Sequence, residues 1–491
     1  MTPPEHDSTA AHRFGGGAVA LRRPRLAAPA LSRPRSGIAA LVAACAALAA
    51  LSLLLPSTPT YDPWAWILWG REIASGDLST LTGPSWKPLP ALFTTVFALA
   101  GGAAPALWLV VARTGGLLAL AFAFRVARRL GGPLAGVVAV VALAVLNFFA
   151  RAAALGDSEG LLIAFTLLAL ELHLVGRRRD ALLAGFAGAL LRPETWPFLG
   201  LYGLWLWRRE PERRRLLMGL ALALPVLWLG PELWGSGNAF RASARAQQVV
   251  PGSPATNRHP PLALLGRAWP TVLFPVRLAA IFALLHALWT RRTHPRSRAV
   301  AVLGLAAVFW IAEVAAMTQA GYSGNMRYLL APMSLVCVMG GIGFARIVAL
   351  AGALRWRALG PAVAVALLAC TAVYVPGPVR QLGRDADAVA KEVRINDALT
   401  PAVALAGGRA GVLACGRPTI GNLQVTALAW RLHVHVGDIG YVAPPRAVVF
   451  LARPAHRGAG APVAQRAGGG YHALGSAGVW HVLERCGTRG I

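Results

Sequence analysis

At 491 residues the chain is 56% hydrophobic and only 14% charged, against about a quarter charged in a soluble globular domain, which excludes a water-soluble fold. A formal charge of +28 would suit a nucleic-acid binder among soluble proteins. Here the arginines stand in short blocks between apolar runs, no contiguous basic face forms, and the charge reads as topological information.

Residues 1–36 are an Arg- and Pro-rich leader, expected in the cytoplasm. The first apolar run, Gly37–Leu55, carries no charge and at ~1.5 Å rise per residue covers a ~30 Å hydrocarbon core. Behind a long leader and without an A-x-A site, it reads as a signal anchor rather than a cleavable signal peptide. Further apolar runs fall at 105–124, 133–149, 158–175, 214–231, 268–289, 298–317, 328–346 and 359–376. Ala181–Trp207 begins and ends beside arginines, so it is predicted to go out and return, turning at Arg192-Pro193-Glu194. Residues 89–101 are read as re-entrant or interfacial, because a full crossing there inverts every later Arg block. The prediction is an all-α membrane domain, 37–376, of about 10–12 spans. The Arg blocks at 22–35, 125–129, 177–179, 208–215, 291–298 and 346–357 put the N-terminus in the cytoplasm. Loops 56–88, 151–159, 192–194, 232–265 and 318–327 and the tail from 377 then lie outside. No fixed-period repeat is visible, which counts against an inverted-repeat transporter.

The tail, 377–491, is less apolar and is predicted to be a small extracytoplasmic α/β domain: helix 383–399, strand 411–415, helix 421–431, and strands near 432–436, 447–452 and 478–484. Cys415 and Cys486 both fall in it, where a disulfide persists outside the cytoplasm; a pair and two unpaired buried thiols are both open. Cys45, Cys337 and Cys370 fall in spans as small packing residues. His433 and His435 would share one face of strand 432–436, and with no third ligand nearby in sequence a structural role is expected rather than zinc.

The outer loops hold the unusual polar residues. Loop 56–88 opens Tyr61-Asp62-Pro63-Trp64-Ala65-Trp66 and closes Ser85-Trp86-Lys87-Pro88. Asp62 before a proline suits an N-cap, and the tryptophans an interfacial belt; equally, a carboxylate at headgroup level can serve as a general base. In Gly156-Asp157-Ser158-Glu159 either Asp157 or Ser158 suits the N-cap of the following span. Arg192 and Glu194 sit at membrane depth, where an ionisable pair is costly unless paired or functional. Arg327, in Gly324-Asn325-Met326-Arg327-Tyr328, runs against the positive-inside trend and suits a phosphate, or an ion pair with Glu313 or Asp62. There is no P-loop, GxGxxG before a helix, HExxH, GxSxG or CxxC, so ATP-driven transport, nucleotide-dependent oxidoreduction and serine hydrolase chemistry have no support.

In the order and common sidedness of Asp62, Arg125 to Arg129, Asp157, Leu190-Leu191-Arg192-Pro193-Glu194 and Arg327-Tyr328-Leu329-Leu330-Ala331-Pro332, residues 37–346 resemble the GT-C superfamily of polytopic membrane glycosyltransferases. These use polyprenyl-phosphate sugars and include protein O-mannosyltransferases and lipid A aminoarabinose transferases. The resemblance implies inverting transfer of a sugar from a polyprenyl-phosphate donor to an envelope glycan, lipid or protein acceptor outside a bacterial plasma membrane, with the lipid bilayer and no nucleic acid as partner. It implies Asp62 as general base, Asp157 as a second catalytic acid that positions hydroxyls, and Arg192, Glu194, Arg327, Tyr328 and Lys87 in substrate binding. Many relatives carry an acidic pair where this chain has Asp62-Pro63, so no residue is assigned to a metal, no cofactor is certain, and a divalent metal is left open. The rival classes are a transporter or flippase for a lipid-linked or anionic solute, in which Arg192, Glu194 and Arg327 line a pathway, and a noncatalytic assembly protein.

Overall fold

A computed structural model describes residues 34–249, 251–354, 358–452 and 470–486; the leader through residue 33 and the end of the last Arg block, 355–357, lie outside the described residues. In chain order the helices are α1 (Pro34–Leu51), α2 (Tyr61–Ala74), α3 (Pro88–Phe97), α4 (Ala104–Gly131), α5 (Pro133–Ala144), α6 (Phe149–Ala154), α7 (Glu159–Leu174), α8 (Arg178–Ala189), α9 (Trp196–Arg209) and α10 (Arg214–Ser236). They continue with α11 (Arg241–Ala246), α12 (Pro260–Ala268), α13 (Phe274–Thr290), α14 (Pro295–Gln319), α15 (Leu330–Gly352), α16 (Leu359–Ala372), α17 (Pro376–Asp397), α18 (Leu399–Leu405), α19 (Gly408–Cys415) and α20 (Val425–Leu432). Proline in the first turn starts α3, α4, α5, α12, α13, α14 and α17, where its missing N–H costs nothing and its fixed φ suits a helix.

Among the described residues five helical stretches are long and apolar enough to cross a bilayer: Gly37–Leu54, Pro88–Gly131, Pro211–Ser236, Pro295–Gln319 and Met326–Gly352. Two bent pairs, Pro260–Thr271 with Phe274–Thr290 and Leu359–Ala372 with Pro376–Leu405, bring the number to 7 if each is one span. The sequence expectation of about 10–12 crossings also counted α5, α7, α8 and α9. These have 12, 16, 12 and 14 residues, or roughly 18–24 Å at 1.5 Å per residue, so none covers the hydrocarbon core alone. α3 is shorter still, and the chain breaks at Gly101 before turning into α4. The protein is nonetheless a multi-pass integral membrane protein. α15 is buried along most of its length, packed on α4, α5, α13 and α14. The approach to α13 is so close that a Cβ on Gly343 would overlap the Ala279 carbonyl, the small-residue contact that lets membrane helices meet without a hydrophobic driving force.

The described residues from Leu41 onward form one compact unit, and its C-terminal part is the small α/β region expected. Strands β1 (Thr419–Ile420), β2 (Ala447–Ala452), β3 (His472–Ala477) and β4 (Trp480–Arg485) form one sheet in the order β1-β2-β4-β3, with β1 parallel to β2 and the other pairs antiparallel. Cys415 and Cys486 are disulfide-bonded. Three local expectations are corrected. Residues 411–415 are the end of α19, not a strand. Residues 432–436 are not a strand either: His433 closes α20 with positive φ and His435 precedes a 3-10 turn, so the two histidines share no strand face. β1 and β3 are strands the sequence did not announce.

Candidate active site

Thr60 is the N-cap of α2, so Asp62 sits inside the first turn and not at the cap. Its Oδ2 instead accepts a hydrogen bond from Arg327 Nη2 at 2.6 Å, while Arg327 Nη1 donates to Asp157 Oδ1 at 2.7 Å. One guanidinium thus joins carboxylates from two separate segments, the first turn of α2 and the loop before α7, the bidentate donor geometry that arginine alone supplies. The segments are also joined directly, by Thr60 N–H donating to the Leu155 carbonyl at 3.0 Å. Arg327 is presented by a short 3-10 turn, Met326–Leu329, capped by Asn325, whose Oδ1 accepts from the Arg327 N–H at 3.0 Å. Gly324 precedes it with φ of +62°, and a Cβ there would stand 2.6 Å from Thr318 Cγ2, so the turn requires glycine.

Ser158 holds the N-cap position of α7 without capping it; its Oγ accepts from Lys87 Nζ at 2.9 Å, and Lys87 lies 4.8 Å from the centre of the Trp66 ring. Arg192, extended ahead of Pro193, donates to Glu159 Oε1, lies 3.7 Å from Glu194 Oε1, and stacks 4.5 Å from the centre of the Tyr328 ring. Lys87, Asp157, Glu159, Arg192 and Glu194 are each buried. Isolated buried ions cost several kcal/mol each, and the interleaving of cations with acids offsets that cost.

These groups surround a cavity of about 760 Å³. Asp62, Lys87, Arg192, Glu194, Arg327 and Tyr328 line it, together with an aromatic and apolar wall that includes Trp86, Trp196, Trp228, Leu229, Phe240 and Met317. The residues singled out from the sequence therefore meet: Asp157 is not in the wall itself but is held to it by Arg327. Of the two ion-pair partners considered for Arg327, Asp62 is the one it contacts. Sequence reasoning did not assign Glu159, Glu313 or Arg245 to the site. Glu159 stands two positions from Asp157, but an acid in a first helical turn is ordinarily read as serving the helix dipole. Glu313 had the clearer signal, an acid inside an apolar run.

Burial pushes the Asp157 carboxyl up, to about 7, with Glu159 and Asp62 adding to the shift and Arg327 opposing it. For Asp62 burial acts the same way, but the charges of Arg327 and Lys87 and the Arg327 hydrogen bond prevail and leave it below the ordinary aspartate value. Burial pulls Lys87 down to about 8, helped by Arg192 and Arg327. Two carboxylates in one site are thus driven apart, one ionised throughout the physiological range and one titrating within it. The guanidinium of Arg327 occupies the place of a cation shared by Asp62 and Asp157, so this pair does not fit a resident divalent metal. Among the described residues no group of three or more His, Cys, Asp or Glu side chains is placed to hold one.

No protein-family model matches the sequence, and no curated protein matches it. Solved structures do. ArnT from Cupriavidus metallidurans in the apo state superimposes with a TM-score of 0.52 at 16% identity, over 92% of this chain and 98% of that one. The same protein bound to undecaprenyl phosphate gives a TM-score of 0.51 at 15% identity, over 91% and 98%. The chain shares the fold of ArnT.

Proposed function

We propose that this protein is an inverting glycosyltransferase that takes a hexosyl or pentosyl group from a polyprenyl-phosphate donor and transfers it to an acceptor hydroxyl or amine. The reaction takes place on the outer side of a bacterial plasma membrane, with the leader 1–36 cytoplasmic and the region 377–491 extracytoplasmic. The observation that carries this reading is the guanidinium of Arg327 held between Asp62 and Asp157 beside a cavity that is charged in one part and aromatic and apolar in another. Such a cavity suits a ligand with an anionic head and an isoprenoid tail. A fold shared with a protein crystallised with undecaprenyl phosphate supports it.

Asp62, ionised, accepts the acceptor's proton as its oxygen or nitrogen attacks the anomeric carbon from the face opposite the phosphate. A new bond to that carbon forms, the bond to the phosphate oxygen breaks, and its electron pair leaves on the polyprenyl phosphate. Arg327, Arg192 and Lys87 meet the charge gathering there, an interaction stronger in the transition state than in the ground state. Asp157 accepts hydrogen bonds from sugar or acceptor hydroxyls, and Glu194 and Tyr328 line the sugar side. The test is transfer of labelled sugar from a panel of polyprenyl-phosphate donors by membranes containing the protein. Donor-dependent labelling of an acceptor is expected; movement of the intact labelled lipid across the bilayer without transfer would favour the transporter instead.

A further inference from the structure

The helix that carries Asp62 is held by the C-terminal region as well as by the membrane helices. α20 packs along α2. Thr426 Oγ1 donates to the carbonyl of Tyr61, the residue before Asp62, at 3.0 Å. Arg71 Nη1 donates to the Trp430 carbonyl at 3.1 Å and its guanidinium lies 4.7 Å from the centre of the Trp430 ring. α17 packs on α6, which leads into Asp157, so both acid-bearing segments are braced from the same region.

At the far end of α2 stands His435. Its Nδ1 is 2.8 Å from Glu72 Oε1 and its Nε2 is 3.2 Å from Asp77 Oδ2. A neutral imidazole has one N–H and one lone pair, and in this setting the lone pair would face a carboxylate. The neutral ring with its proton on Nδ1 still donates to the buried Glu72; the imidazolium adds charge attraction to Glu72 and to the exposed Asp77. We propose that His435 is a positioning residue: as an imidazolium between Glu72 and Asp77 it latches the Asp62-bearing helix to the C-terminal region and makes the alignment of Asp62 depend on pH. This rests on the reading of Asp62 as the catalytic base.

The charged groups facing His435 are Glu72 on α2, Asp77 in the loop after it, and Asp438 in its own turn, which accepts the His435 N–H at 3.0 Å. Burial disfavours the charged ring, but the hydrogen bond and charge of Glu72, with Asp77 and Asp438, outweigh it and hold His435 above the ordinary histidine value. The charge contribution to the latch is therefore full below the ordinary value and is lost as pH rises through the raised one, leaving the neutral hydrogen bond to Glu72. On the acid side it ends where Glu72 protonates, a step that burial moves above the ordinary glutamate value.

The measurement is hydrogen exchange of the α2 amides in the full-length protein in lipid nanodiscs, as protection factors across pH, for wild type, His435→Gln and His435→Lys. Wild type is expected to lose protection as pH rises, His435→Gln to be less protected and flat with pH, and His435→Lys to be protected and flat. His435→Lys keeps the charge, so its protection separates loss of the latch from failure to fold. The same pH profile in wild type and His435→Gln would overturn the latch. Exchange is read without any sugar transfer, so this result stands apart from the fate of the proposed reaction. Where transfer is measured, His435→Gln should lower kcat about tenfold with donor KM unchanged, within the roughly hundredfold that a 1 Å misplacement can cost.

Discussion

Arg327 and Asp62 are separated by 265 residues in sequence and by 2.6 Å in space. On the proposed reading, the residue that would meet the leaving phosphate also fixes the base, so donor binding and base alignment would be coupled through one side chain.

Arg327→Ala leaves Asp62 and Asp157 facing each other without their cation. Arg327 and Asp62 are only partly buried, so the loss is smaller than the roughly 3–5 kcal/mol of a fully buried pair; the thermal midpoint should fall modestly, and binding of polyprenyl phosphate should be lost together with turnover. Arg327→Lys keeps the charge but is not expected to hold both carboxylates with one planar fork. It should retain most of the stability and lose turnover by roughly tenfold or more. Thermal unfolding and lipid-phosphate binding on the two variants separate these outcomes; equal behaviour would show that the bridge has no bidentate role.

Asp157 is neutral below about 7 and charged above it. If the charged form accepts hydrogen bonds from a substrate hydroxyl, kcat should rise with pH through about 7 and fall again above about 8, where Lys87 loses its proton. Measured in His435→Lys, where the latch no longer titrates, the rising limb should vanish on Asp157→Asn. A limb unchanged by the substitution belongs to another group.

The residues of the candidate site were legible because an ionisable group in an apolar setting is costly and stands out: Asp62, Asp157, Arg192, Glu194 and Arg327 each interrupt or flank an apolar run. Of their contacts, Arg327 with Asp62 was one of two pairings the sequence offered; Arg327 with Asp157 and Arg192 with Glu159 join distant segments and were not legible. The N-cap reading failed at Asp62 because α2 begins one residue before it, at Tyr61, which leaves the cap position to Thr60 without a side-chain capping bond. In the C-terminal region five-residue windows misled. Val412, Leu413 and Cys415 make as good a buried strand as the helical turn they form. β3, with the sequence HALGSA, has neither alternation nor β-branched residues and is recruited by pairing with β4. The long apolar runs fixed helix positions well, and α5, α7, α8 and α9, short as they are, gain burial from neighbouring helices.

Cys415 and Cys486, 71 residues apart and bonded, should resist alkylation under denaturing, nonreducing conditions and react after reduction. The closed loop stabilises the folded region by ~4 kcal/mol on a chain-entropy basis, so reduction should lower its thermal midpoint. Ready labelling of both thiols without reductant would contradict the bond.

The proposed orientation is tested by a reporter fused after Arg380. If the Arg blocks share the cytoplasmic side, as the proposal holds, a periplasmic reporter should be active and a cytoplasmic one silent. The reverse pattern would place Asp62 in the cytoplasm and remove the outer-face reaction.

The most direct measurement is sugar transfer by Asp62→Asn. Asparagine keeps the shape and one acceptor for Arg327 but is no base, and loss of a general base typically costs ~10² to 10⁴ in rate. Turnover from a polyprenyl-phosphate donor should collapse by that factor while membrane insertion and donor binding persist, because Arg192, Lys87 and Arg327 remain in the cavity wall. Transfer by Asp62→Asn within a few-fold of wild type would contradict the assignment of Asp62 as the base.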